Sequence, residues 1–401
     1  MVGNVDWQAI ESKYYIQTVN RVPITIVRGK ESTVWDDKGR SYLDFVGGWA
    51  TATLGHSHPT MIDAIVEQSK LLIQVSNAFY TIPQIELAQL LIDNSCMDRV
   101  FFCNSGAEAV EGAIKVARRY GKLNKNGASE IITALNSFHG RTLGTVAATG
   151  QPDYQENFKP LLPGFVHVSY NDFEQIKKAT TDKTVAILLE PVQGEGGVNV
   201  PDQEYFRNIR AWCDENNLLL ILDEVQTGVG RLGKLFGYQM FDIEPDVMTL
   251  AKGLGGGVPI GAFMVKERAN SLTFGDHGST FGGNALTTAA ARSVVEFVIN
   301  QNLPETVRLS GQRLKSKLLG IAESESSNIT EIRGEGLLIA IQFKTEIGLE
   351  VMQECLSRGL LINRVRPDTV RLMPPLIVSD EDIDKGIEII SEAIQAVSIK
   401  Q

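Results

Sequence analysis

Cysteine is scarce in this chain, and its four copies, Cys96, Cys103, Cys213 and Cys355, form no CxxC pair and have no histidine-rich neighbour. That scatter disfavours a disulfide framework or a zinc site and makes a reducing cytoplasm the expected compartment. Basic charge is outnumbered: 38 Lys and Arg against 48 Asp and Glu give a formal net charge of −10. A nucleic-acid or anionic-membrane partner is therefore not expected, since neither would be attracted. A small anionic substrate stays open, because a few local arginines are enough to hold one. No apolar run approaches the roughly 18–20 residues of a membrane span. The lead MVGNVDWQAIESK lacks the basic-then-apolar order of a signal peptide. Internal repeats and low-complexity segments are missing too.

What remains is an ordinary composition, 43% apolar and 21% charged over 401 residues, which suits a large domain with a smaller one. Extended segments are expected around Ile24–Val27 and Thr33–Asp36, with a turn at Asp37–Gly39 and a helix from Pro59 to Gln74. Five short apolar runs follow: RVFFC (99–103), EIITAL (130–135), TVAILLE (184–190), LLLILDE (218–224) and DVMTLAK (246–252). Their lack of alternation suits strands buried on both faces, and the helical pattern of Ala107–Tyr120 lies between two of them. The expectation is an α/β fold with a mainly parallel sheet. From about residue 300 the pattern changes to helices near 304–323 and 380–398 and strands near 336–343 and 370–372. The division read from this is an N-terminal segment 1–55 belonging to the small domain, a large domain 56–300 and a small C-terminal α+β domain 301–401.

Ligands of open α/β sheets gather at the carboxyl ends of the strands, so the residues after each run describe a candidate site. RVFFC is followed by Ser105, Gly106 and Ala107 at a helix N-terminus, a phosphate-binding arrangement in which Ser105 also reads as a simple N-cap. After EIITAL come Phe138, His139 and Arg141, able to stack on a ring and grip a carboxylate; a structural Phe and a solvated Arg read equally well. Glu190 and Glu195 flank a Gly-rich turn, and Glu195 matters only if an arginine is nearby. Asp223 closes its strand where a carboxylate calls for a cation, a protonated pyridine nitrogen or a metal; no cluster of further ligands favours the metal. Lys252 closes another apolar strand, where desolvation lowers its pKa and makes the amine nucleophilic. The GSTFGGN segment adds donors at Ser279 and Thr280. Each signal is weak alone. Together, an anion site, a stacking aromatic, a pyridinium-seeking acid and a strand-end lysine describe pyridoxal phosphate.

These residues stand in motifs, LGHSHP, NSGAEA, FHGRTLG, EPVQGEGGV, LDEVQTGVGRLGK, AKGLGGGVPIGA and RLMPPL, that resemble the class III aminotransferases of pyridoxal-phosphate fold type I, most of all the acetylornithine branch. The resemblance runs from about residue 15 to 395. It implies a large domain with a mainly parallel sheet and a smaller α+β domain. It implies that Lys252 carries the cofactor and shuttles a proton while Asp223 pairs with the pyridine nitrogen. Phe138 and Val225 would sandwich the ring and Gln226 would meet its hydroxyl. Gly106 and Ala107 would bind the phosphate with Thr280 of the neighbouring subunit of a homodimer; Ser105, His139 and Glu190 join the cofactor contacts. Arg141 and Ser279 would hold the substrate carboxylate. Arg371 would receive that of 2-oxoglutarate, masked otherwise by Glu195.

The implied reaction moves the distal amine of an ornithine-type substrate, N-acetylornithine first, to 2-oxoglutarate, giving a semialdehyde and glutamate. Ornithine δ-aminotransferase and 4-aminobutyrate aminotransferase are the alternatives. Two positions depart from the pattern: Trp49 stands where the acetylornithine branch carries a small aliphatic residue, and Val19 where a Tyr is expected. Both are expected on the substrate side, Trp49 as a substrate contact. A rival of another class, a nucleotide-binding protein, would use Gly228–Lys234, which matches GxGxxG and GxxxxGK; Leu235 replaces the needed Ser or Thr, and KLFGYQMFD is a poor helix.

Overall fold

The computed structural model describes residues 5–323 and 328–399; the first four residues of the lead segment lie outside them. Fifteen strands form three sheets. Near the N-terminus, β1 (Ile26–Lys30), β2 (Thr33–Asp36) and β3 (Ser41–Asp44) make an antiparallel ribbon. The central strands are β4 (Arg99–Cys103), β5 (Glu130–Ala134), β6 (Phe165–Val168), β7 (Thr184–Leu189), β8 (Leu219–Asp223), β9 (Val247–Leu250) and β10 (Gly261–Val265). Toward the C-terminus lie β11 (Ile329–Glu335), β12 (Leu338–Phe343), β13 (Leu360–Leu361), β14 (Asn363–Arg366) and β15 (Thr369–Leu372).

The seven central strands run in the order β4-β10-β9-β8-β7-β5-β6. Pairing is parallel from β9 to β6, while β10 is antiparallel to both of its neighbours. The five expected runs are all present as strands. The expected strands do not include β3, β6, β10, β11, β13 or β14. Helices cover both faces of the sheet, which explains the runs without alternation. Leu188, Leu219 and Ile221 face the helix Gly106–Asn124 on one side, and Ile187, Leu189 and Leu220 face the other core. Each such leucine or isoleucine, fully buried, adds about 1.5–3 kcal/mol relative to exposure.

The antiparallel sheet β11-β12-β15-β14 belongs to the C-terminal part, and β13 returns to pair in parallel with β3 of the N-terminal ribbon. Its Leu338 and Ala340 pack with Val192, Val198 and Leu232 in one apolar cluster, so this sheet lies against the loop after β7. The Gly228–Lys234 stretch forms turns, with Gly230 and Gly233 at φ 91° and 84°, and only a short 3-10 turn, Gly237–Met240, comes after it. A phosphate-binding loop needs a helix there, so the nucleotide-binding rival lacks its structural context. Among the described residues, no helix is long and apolar enough to cross a membrane and no His, Cys, Asp and Glu group could hold a metal.

Candidate active site

Because β4, β5, β7, β8 and β9 point the same way, the residues after them meet at one edge of the sheet. There they line a cavity of about 430 Å³. Its walls include Ser105, Gly106 and Ala107 from the β4 edge, Phe138, His139 and Arg141 beyond β5, and Glu190 and Glu195 beyond β7. Asp223, Val225 and Gln226 complete it with Lys252.

Ser105 caps the helix Gly106–Asn124 by accepting from the Glu108 N–H at 3.2 Å. The N–H groups of Gly106 and Ala107, in the first turn, have no partner inside the helix. A Cβ at Gly106 would come within 2.8 Å of Val225 Cγ1, so only glycine lets this backbone close on the cavity. The N-cap and phosphate-site readings of Ser105 therefore coexist.

Asp223 is buried, and three contacts orient its carboxylate while leaving acceptor capacity on Oδ2. Oδ2 meets His139 Nδ1 at 2.8 Å, and Oδ1 accepts from the Thr249 hydroxyl and the Val225 N–H, both at 3.1 Å. The His139 side chain is itself fully buried, and among the described residues its Nε2 has no hydrogen-bond partner. Glu190 ties two loops together, accepting from the Phe138 N–H at 3.1 Å and the Gly194 N–H at 3.3 Å. Burial pushes its carboxyl up to about 7, with His139 opposing the shift and Asp223 adding to it.

Lys252 sits just past β9 in a left-handed conformation, φ 38°, which costs a non-glycine residue energy and recurs where a side chain must be aimed. Burial lowers its pKa, against the pull of Glu195, Asp223 and Glu190. Behind Glu195 and Gln226, Arg371, fully buried on β15, pairs with Glu195 Oε1 at 2.8 Å and donates to Gln226 Oε1 at 3.0 Å. Gln226 Nε2 in turn donates to Glu195 Oε1 at 3.2 Å, so both ends of this amide are occupied. Arg371 Nη2 is buried and has no partner among the described residues. Burial alone would raise the Glu195 pKa; Arg371 and Lys252 outweigh it and hold the carboxyl below its usual value. Arg141 lies exposed at the mouth, its guanidinium 3.7 Å from the centre of the Tyr154 ring and 5.3 Å from that of Phe138.

Five expected residues do not line this cavity in a single chain. Arg371 reaches it through Glu195. Ser279 stands beside it, its hydroxyl accepting from Asn104 Nδ2 at 3.2 Å. Thr280 is exposed, its carbonyl bonded by Gln74. Trp49 is 52% exposed, although Thr51 of the same segment is in the wall. Val19 lies on the exposed N-terminal segment, in a separate groove with Trp7 and Glu11. Sequence reasoning missed Thr51, Asn104, Thr227 and the run Val258–Ile260, all wall residues; only the strand-end position of Asn104 could have signalled one of them.

The model of the family described as aminotransferase class-III matches residues 14–394. The chain belongs to the class-III aminotransferases. It is a pyridoxal-phosphate enzyme that passes amino groups between small molecules. The acetylornithine aminotransferase of Methanocaldococcus jannaschii is 46% identical, with 98% of each chain covered, and that of Thermosynechococcus vestitus is 50% identical, with 94% of each covered. Among solved structures, the ornithine aminotransferase of Toxoplasma gondii superposes with a TM-score of 0.95 at 32% identity, covering 99% of this chain and 96% of that one. The acetylornithine aminotransferase of Elizabethkingia anophelis gives 0.86 at 32% identity, covering 97% and 98%. These likenesses bear out the expected fold type I architecture.

Proposed function

We propose that this aminotransferase moves the distal amine of N-acetylornithine to 2-oxoglutarate, as the names of its relatives suggest. The observation that carries the reading is the pair of half-buried Glu195 with fully buried Arg371, 2.8 Å apart, with Arg371 Nη2 unpartnered among the described residues. Such an enzyme must accept one substrate through a distal amine and the next through an α-amine. Arg141 at the mouth holds the donor's α-carboxylate, which leaves the distal amine directed at Lys252. Glu195 covers Arg371 meanwhile. A dicarboxylate acceptor then displaces Glu195 and takes both Nη atoms of Arg371 in a bidentate contact.

The walls fit the cofactor. The close backbone at Gly106 and Ala107 with its free N–H groups suits the phosphate, Phe138 and Val225 suit the ring faces, and the Asp223 carboxylate suits the pyridine nitrogen. When bound, pyridoxal phosphate supplies an electrophilic carbon for the amine and a ring that accepts an electron pair. Asp223, held by His139 and Thr249, would hold the cofactor at its ring nitrogen and favour a proton there. Lys252 Nζ, its pKa lowered by burial, binds the cofactor and afterwards takes and returns the substrate proton.

The reading extends to a cytoplasmic homodimer in which Thr280 of one subunit completes the phosphate contacts of the other. It also keeps a cofactor domain, 56–300, and a smaller domain of 301–401 with the lead segment 1–55.

The visible spectrum tests the reaction. The cofactor band of the wild-type protein should bleach with N-acetylornithine and return with 2-oxoglutarate, while Lys252→Ala should stay folded without turnover. Bleaching by ornithine or 4-aminobutyrate alone would replace the substrate assignment and turn attention to Trp49 and Val19.

A further inference from the structure

The turn that carries Glu195 is held by two more arginines from the C-terminal sheet. Across β11, β12, β15 and β14, Arg333 lies opposite Ala340, Ala340 opposite Arg371, and Arg371 opposite Asn363. Directly opposed residues of an antiparallel sheet share a face. These four therefore make one row, with a small alanine separating the two arginines. The same face bears Leu338 and Met373, packed on Val192 and Val198, so the row looks onto the turn between them.

Arg371 takes the Glu195 side chain, as described. Arg333 Nε donates to the Gly197 carbonyl at 2.9 Å. From the end of β14, Arg366 Nε donates to the Gly196 carbonyl at 3.2 Å, and its Nη2 donates to Asn136 Oδ1 at 2.8 Å. Asn136 begins the loop that carries Phe138 and Arg141, so Arg366 ties both carboxylate-handling loops to one sheet. Arg333 is fixed in turn by Glu331 at 2.7 Å and Gln342 at 2.5 Å. The turn needs its glycines for this approach: Gly197 has φ 116°, and a Cβ there would lie 3.3 Å from Arg333 Nη2.

We propose that Arg333 and Arg366 are positioning residues that set how firmly Glu195 covers Arg371, and thereby which carboxylate-bearing substrate the site admits. The proposal rests on the reading of the Glu195–Arg371 pair as a gate. With the backbone pinned one and two residues beyond Glu195, the pair opens by side-chain rotation alone and re-forms in one place. Freed from the arginines, the turn gains conformations in which Glu195 misses Arg371, and re-forming the pair then costs the entropy of ordering the turn. Arg371 stands uncovered for longer. The acceptor gains, and the donor loses its protection against binding in the wrong orientation.

The test measures the two half-reactions separately, with N-acetylornithine and with 2-oxoglutarate, in Arg333→Gln, Arg366→Gln and Glu195→Gln. In each arginine variant the 2-oxoglutarate KM should fall about threefold to tenfold, the worth of one or two hydrogen bonds. The kcat with N-acetylornithine should change little. Amide hydrogen exchange across residues 193–199 of the cofactor-free protein should quicken in the same variants. Arg333→Lys and Arg366→Lys, each keeping a charged donor, should restore part of the wild-type KM and serve where a glutamine variant does not fold. If Glu195→Gln lowers the KM but the arginine variants leave it and the exchange rates unchanged, the positioning role is overturned and the gate stands. Equal losses in both half-reactions would mark a merely structural role and also overturn it. An unchanged KM in Glu195→Gln would bring down the gate and the proposal together.

Discussion

Burial pushes the carboxyls of Glu190 and Glu224 from the ordinary 4.5 up to about 7. Glu224 accepts from the Tyr238 N–H at 2.8 Å and also from the Gly237 N–H, deep beside the site. Between those two values the folded chain binds more protons than the unfolded one, so both groups make stability fall as pH rises from about 4.5 to about 7. Glu195 acts in the opposite sense: its lowered pKa contributes stability above its ordinary value and loses it on acidification. Burial also lowers the pKa of His58, His167 and His277, which opposes the fall from Glu190 and Glu224, so the test is a difference. In differential scanning calorimetry of the cofactor-free protein, Tm of Glu224→Gln relative to wild type should rise from about pH 5 to about pH 7. A difference that does not change with pH would dismiss Glu224 as a contributor. At this scale the sequence was legible where chemistry sits at strand ends: Lys252, Asp223 and Phe138 could be picked out because each closes or follows an apolar run. The His139–Asp223 contact, 84 positions apart in the chain, could not, and Arg366 reaches Gly196 across 170 positions. Local spacing carries no record of such partners. Arg371 was expected only through the family resemblance, since it lies on a different sheet from the other site residues.

Burial alone did not decide which elements were legible: β10 is fully buried and was not picked out, while the partly exposed β4 was. Most strands of the central sheet announced themselves as unbroken apolar runs, whereas β6, beginning beside the exposed Leu162 and Pro163, and β10, fully buried but embedded in a glycine-rich stretch, did not. The helix Gly106–Asn124 runs past its expected end because its last turn still has a buried face, at Tyr120 and Gly121. Gly121 lies so close to the Ala128 carbonyl that an added Cβ would overlap it, with Val185 Cγ2 at 2.9 Å beyond. Gly121→Ala should therefore destabilise the protein by about 1–3 kcal/mol despite the better helix propensity of alanine. Gly320, in the helix Leu303–Ala322, has open space where its Cβ would be. Gly320→Ala should be neutral or stabilise by up to about 1 kcal/mol. Urea unfolding of the two variants separates close packing from propensity, and a loss in both would mean that propensity and backbone space were misjudged here.

For the whole molecule, the surface around Thr280 matters most. Phe281 is 61% exposed and Tyr80 95%, and Gln74 and Asn77 bond the segment bearing Phe79 and Tyr80 to the carbonyls of Ser279, Thr280 and Gly282. An apolar surface of this kind beside an active site calls for a cover, which the proposed second subunit provides. Light scattering should give twice the 44.0 kDa chain mass. Mixing refolded Lys252→Ala and Thr280→Ala chains should restore activity, since one site of each mixed dimer would receive both intact residues; no recovery would mean that Thr280 does not act across subunits. The placement of β10 between β4 and β9 also orders events in time. During synthesis β4 has no neighbour in its sheet until Val265 has emerged, and the stretch from Cys103 to Gly261 takes on the order of 10 s to translate. Through that interval the Ser105–Ala107 corner hangs from an unanchored strand. The β4 corner of the cofactor site is anchored in its sheet only after Val265 has left the ribosome.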